Sequence, residues 1–107
     1  MSNNLQITMR TIDLMNCRKM CNSMLTALDQ LIDPDSITDK NLKNNLLNIK
    51  TELKYMITDL DFYLNNLTFI DSDIITNLSI EFNSHTTKTS EILHKYKKYL
   101  NGEDGTV

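Results

Sequence analysis

The first glycine in this 107-residue chain is Gly102. A sheet protein of this size needs several tight turns, and glycine is the residue that takes positive φ without steric cost. Its absence from the first 101 residues therefore argues against all-β and α/β architectures and excludes glycine-rich phosphate loops. The chain instead has fifteen leucines, eleven isoleucines and thirteen asparagines, with one alanine, one valine and one proline. A preference for Asn, Ile, Lys and Thr over Ala, Val and Gly fits an AT-rich coding sequence.

Punctuation is confined to two places. At Asp33-Pro34-Asp35-Ser36, proline disfavours a helical Asp33, and Ser36 with Asp39 resembles a capping box with Asp in place of Glu. At Asp71-Ser72-Asp73, three cap-preferring residues stand together, with negative charge where a helix N-terminus favours it. These breaks divide the chain into segments of about 3–32, 37–70 and 72–101, each a rod of roughly 45–50 Å if helical. One domain over residues 1–101 and a flexible tail, 102–107, is expected.

Periodicity makes all three rods helical. In the middle segment Leu42, Leu46, Ile49, Leu53, Met56, Leu60, Tyr63, Leu67 and Ile70 alternate spacings of four and three, with Ile57 and Leu64 widening the face. The third segment repeats the pattern through Ile75, Leu78, Phe82, His85, Thr89, Ile92, Tyr96 and Tyr99, flanked by Leu93 and Leu100. In the first, Leu14, Cys17, Cys21, Met24, Leu28 and Leu31 form the seam, with Leu25 and Ile32 beside it. The expected fold is all-α: an elongated up-down-up antiparallel three-helix bundle with coiled-coil-like heptad seams and a methionine-rich, adaptable interior.

Net charge is −3, far from the basic balance of a protein held to nucleic acid by phosphate neutralisation, so no nucleic-acid partner is expected. No run of apolar residues is long enough for a membrane span, and the polar N-terminus lacks a signal-peptide core. The expected setting is intracellular, cytoplasmic or nuclear, and not secreted. The two histidines stand nine residues apart on one helix, and no nucleophile occupies a strained turn, so an enzyme is not expected.

Four features lie outside that framework. Tyr55, Phe62 and Phe69 recur every seven residues on a line roughly 150° around the middle helix from its main seam. Such rings either cover a groove toward a neighbouring helix or form an exposed stripe that docks a protein partner or a second copy of the chain. Leu5, Met9 and Ile12 make a comparable line on the first helix. Two stripes off the seam point to a protein-interaction module, a small subunit or adaptor of a larger assembly. The alternative class is a virus- or phage-encoded helical inhibitor that blocks a host protein.

Cys17 and Cys21 stand one turn apart, and parallel first and third helices bring His85 to the level of Cys17. Two thiolates and an imidazole begin a zinc site, with Glu52 as the available fourth ligand. The reading adopted is two small buried thiols beside His85 and Thr89 in a polar layer that fixes register, with no metal or cofactor. Finally, His94, Lys95, Lys97 and Lys98 interleave with Tyr96 and Tyr99. This cluster suits either an anionic surface or, as adopted, the negative end of the helix dipole.

Overall fold

The computed structural model describes residues 2–102, with side chains from Thr11 onward. Among them are three α-helices: α1 (Ser2–Leu31), α2 (Lys40–Asn65) and α3 (Ser72–Leu100). Two 3-10 turns, Pro34–Ser36 and Leu67–Phe69, join them. The helices pack as an up-down-up bundle. Arg18 at the middle of α1 pairs with Asp61 late in α2, while Asp29 late in α1 meets Lys50 in the first half of α2 at 2.8 Å, so α1 and α2 are antiparallel. Glu52 in turn meets His85 and Lys88 of α3, and Leu14 and Cys17 share a surface depression with Leu78 and Phe82.

The links explain where the helices stop. α2 starts at Lys40, later than the expected 37, because Asp39 rather than Ser36 is its cap: its carboxylate accepts from the amides of Asn41 (2.9 Å) and Leu42 (3.2 Å). Ser36 belongs to the preceding turn, where its hydroxyl donates to the Asp33 carbonyl at 2.7 Å. α2 also ends five residues before the expected 70. Asn66 leaves helical geometry at φ −137°, ψ 53°, and the amide groups of Asn65 and Asn66 donate back to the Asp61 and Phe62 carbonyls. Each 3-10 turn delivers one isoleucine, Ile37 or Ile70, into the core at an end of the bundle. Asp71 caps α3 through Ile74 N–H, and α3 closes on Gly102 at φ +69°, whose amide donates to the Tyr99 carbonyl. Of the expected 102–107 tail, residues 103–107 lie outside the described residues.

The core follows the seams with few exceptions. Leu42, Leu46, Ile49, Leu53, Met56 and Leu60 of α2 are all buried, as are Leu14, Cys21 and Leu28 of α1 and Leu78, His85, Thr89, Ile92 and Tyr96 of α3. Leu31 departs from its expected seam place: it is exposed and Ile32 is buried instead. A straight helix of 3.6 residues per turn drifts about 20° per heptad, so after Leu14, Cys21 and Leu28 the inward direction has passed to Ile32. Leu100, at the last turn of α3, is exposed rather than flanking the seam. The methionine-rich interior is also corrected. Met56 is buried and Met24 packs against the core, but Met15 and Met20 face outward.

Candidate interaction surface

The outward face of α2 is built by the same periodicity that builds its core. Tyr55, Phe62 and Phe69 are 67%, 54% and 63% exposed, so the rings lie on the open face and not in a groove between helices. Phe69 is carried by the second 3-10 turn, beyond the helix end where the sequence had extended it. Leu47, 47% exposed, lies on the same side, and Thr51, Thr58 and Asn65 fill the positions between the rings. Asn44, Leu47, Thr51, Tyr55, Thr58, Phe62 and Asn65 are all exposed and none is charged.

Three polar side chains on this strip are bonded back to their own helix. Thr51 Oγ1 donates to the Leu47 carbonyl at 3.0 Å and Thr58 Oγ1 to the Lys54 carbonyl at 3.1 Å. Asn65 Nδ2 donates to the Asp61 carbonyl at 3.0 Å. A hydroxyl already bonded to its own helix loses little when water is removed, so the threonines behave as methyl-bearing steps between aromatic rings. Phe62 is further held edge-on against Tyr63, with ring centroids 5.6 Å apart.

The second stripe is seen only in part. Ile12 is 52% exposed on α1, while the side chains of Leu5 and Met9 lie outside the described residues.

Cys17, Cys21 and His85 do not form a ligand set: among the described residues no three His, Cys, Asp or Glu side chains come close enough to hold a metal ion. The cysteines interact with each other, while the imidazole turns to carboxylates. Cys21 donates its thiol to Cys17, which pulls the Cys17 pKa below the ordinary thiol value; the same bond, with burial, pushes that of Cys21 up. His85 lies between Glu81 of its own helix, 3.3 Å from Nε2, and Glu52 of α2, 3.4 Å from Nδ1. Glu52 at this level was legible in the sequence. Of the expected polar layer, Cys21, His85 and Thr89 are buried, with no hydrogen-bond partner for Thr89 Oγ1 among the described residues, but Cys17 is only half-buried.

At the far end of α3, Lys95, Lys97 and Lys98 are exposed, and the latter two lie in the last turn. The tyrosines between them do a different job, which the sequence did not disclose. Tyr96 Oη accepts from Asp33 N–H at 3.4 Å and meets Ser36 Oγ at 3.0 Å. Tyr99 Oη accepts from Thr38 N–H (3.0 Å), lies 2.8 Å from Thr38 Oγ1 and donates to the Ser36 carbonyl (3.2 Å). The two stacked rings thus clamp the α1–α2 link onto α3. The bonds from Thr38 hold the Tyr99 hydroxyl below its ordinary pKa.

No helix among the described residues is long and apolar enough to cross a membrane. The chain matches no family model, no curated protein and no solved structure.

Proposed function

We propose that this protein is a non-enzymatic helical interaction module, a small subunit or adaptor of an intracellular assembly, which docks a protein through the outer face of α2. The observation that carries this reading is the uncharged strip of Tyr55 and Phe62 on α2, continued by Phe69 on the turn that follows it, each ring more than half exposed while the opposite face of the helix is buried. Contiguous apolar surface on a small domain marks an interface, and aromatic side chains are the residues that anchor one. Ile12, with Leu5 and Met9, offers a second contact line, and a helix laid along either strip is the expected mode of docking.

Replacing Tyr55, Phe62 and Phe69 together with serine tests the reading. Helicity and melting temperature are expected to change little, while the mass of the assembly, or capture of a partner protein, falls. Unfolding of the triple variant refutes the reading, because the rings would then be part of the core.

A further inference from the structure

The outer strip of α2 is complementary to itself when reversed. Along the helix, large and small side chains alternate at heptad spacing: Thr51, Tyr55, Thr58, Phe62, Asn65. Two such helices laid antiparallel, with their strips in contact, put Tyr55 opposite Thr58 of the second copy and Phe62 opposite Thr51 of the second copy. Each ring then meets a threonine whose hydroxyl is already bonded to its own backbone. A parallel pair would set ring against ring and threonine against threonine, leaving gaps between the rings.

The charges beside the strip agree with the same register. In an antiparallel pair each flank meets the same flank of the other helix. On the flank that holds Lys54 and Asp61, the register that opposes Tyr55 to Thr58 also opposes Lys54 to Asp61, and it does so twice by symmetry. Lys54 is exposed and has no ion-pair partner among the described residues, whereas Asp61 is held in place by Arg18. On the other flank Asp59 approaches Glu52 of the second copy, a like-charge pair in which each Glu52 is already partnered by Lys88 of its own chain at 3.4 Å. Leu47, near the start of the helix, comes against the Phe69 turn of the second copy.

We propose that the outer face of α2 seats an antiparallel homodimer, in which two copies pack α2 on α2 about a twofold axis crossing the helix between Tyr55 and Thr58. The proposal rests on the reading of this face as a docking surface and assigns its occupant as a second copy of the chain. The contact is isologous, so it closes at two copies. One helix per copy covers less than the ~800 Å² per partner of a standard interface, so dissociation is expected in the micromolar range.

The test is sedimentation velocity from about 1 µM to about 1 mM on the wild type, Lys54→Asp, Asp61→Lys and an equimolar mixture of the two variants. Each variant alone places like charges opposite each other at both symmetric pairs and is expected to weaken dimerisation at least about tenfold. Mixed, they restore two opposite-charge pairs and re-form a dimer of wild-type affinity. Thr58→Arg, on an exposed position near the axis, is expected to give a folded monomer and covers the case in which Asp61→Lys unfolds by losing Arg18. A wild type monomeric throughout, a dimer untouched by Lys54→Asp and Thr58→Arg, or a folded mixture that stays monomeric each overturns the proposal. A monomeric wild type that captures a partner protein, and loses it in the triple serine variant, overturns the homodimer and leaves the docking reading standing. Loss of helicity in the triple serine variant removes the docking reading itself.

Discussion

Leu53 and Tyr55 are two residues apart on α2 and point to opposite sides, so truncating each to alanine separates the core face from the outer face. Leu53 is fully buried, while Tyr55 is 67% exposed. Leu53→Ala removes three buried carbons, about 2.4 kcal/mol at ~0.8 kcal/mol each. The cavity left at the centre of the bundle, lined by three helices that cannot all close in, raises the cost to about 3–4 kcal/mol. For a domain of this size that is an appreciable fraction of the roughly 5–15 kcal/mol available, and it lowers the melting temperature by about 15–25 °C. Tyr55→Ala exchanges an exposed ring for the best helix former and should stay within about 0.5 kcal/mol of wild type. The assay is urea unfolding followed by circular dichroism at ~1 µM and again near 1 mM, since any stabilisation of wild type by association grows with concentration. At the low concentration, a cost above about 2 kcal/mol for Tyr55→Ala, or below about 1 kcal/mol for Leu53→Ala, refutes the assignment of the two faces.

Three further outcomes follow from the polar contacts. Tyr99→Phe removes the hydroxyl that bonds Thr38 and Ser36, and is expected to cost about 1–2 kcal/mol in chemical denaturation and to speed amide exchange at Thr38. Thr89→Val replaces a buried hydroxyl that has no partner among the described residues with a methyl of the same shape, and should be neutral or stabilising by up to about 1 kcal/mol; clear destabilisation shows that the hydroxyl is bonded after all. Cys17, partly exposed and with its pKa lowered by the Cys21 thiol, is expected to alkylate before the buried Cys21. Its rate should rise at lower pH than that of a simple thiol, and Cys21→Ala, by removing the donated bond, should shift this rise to higher pH, as mass mapping of iodoacetamide adducts would show.

The helices and their inward faces were legible because they rest on local rules. Spacings of three and four placed Leu42 through Leu60, and cap-forming residues at Asp33–Asp39 and Asp71–Asp73 marked the links. Apart from Met15 and Met20, which face outward from the middle of α1, the errors fell at helix ends. Choosing between Ser36 and Asp39 as the α2 cap, or between Leu31 and Ile32 as the last core residue of α1, depends on where the neighbouring chain sits. Asn65 and Asn66 gave no clear stop signal in an asparagine-rich sequence, yet their side chains end α2. The Tyr96–Tyr99 clamp was hidden for a similar reason: its partners, Asp33, Ser36 and Thr38, are about sixty residues away in sequence.

The sequence by itself determined that this chain is helical, that it turns twice, and which face of each helix avoids water, because periodicity and the near-absence of glycine act within a few residues. It also set the aromatic line on α2 apart from the seam. Only the tertiary structure decided that this line is open, since a ring 150° from the seam is covered or bare according to how α1 and α3 lean against α2. The same packing directed His85 to Glu52 instead of to the cysteines, and brought the α3 tyrosines onto the first link. Contacts between helices depend on their relative placement, which no single helix encodes.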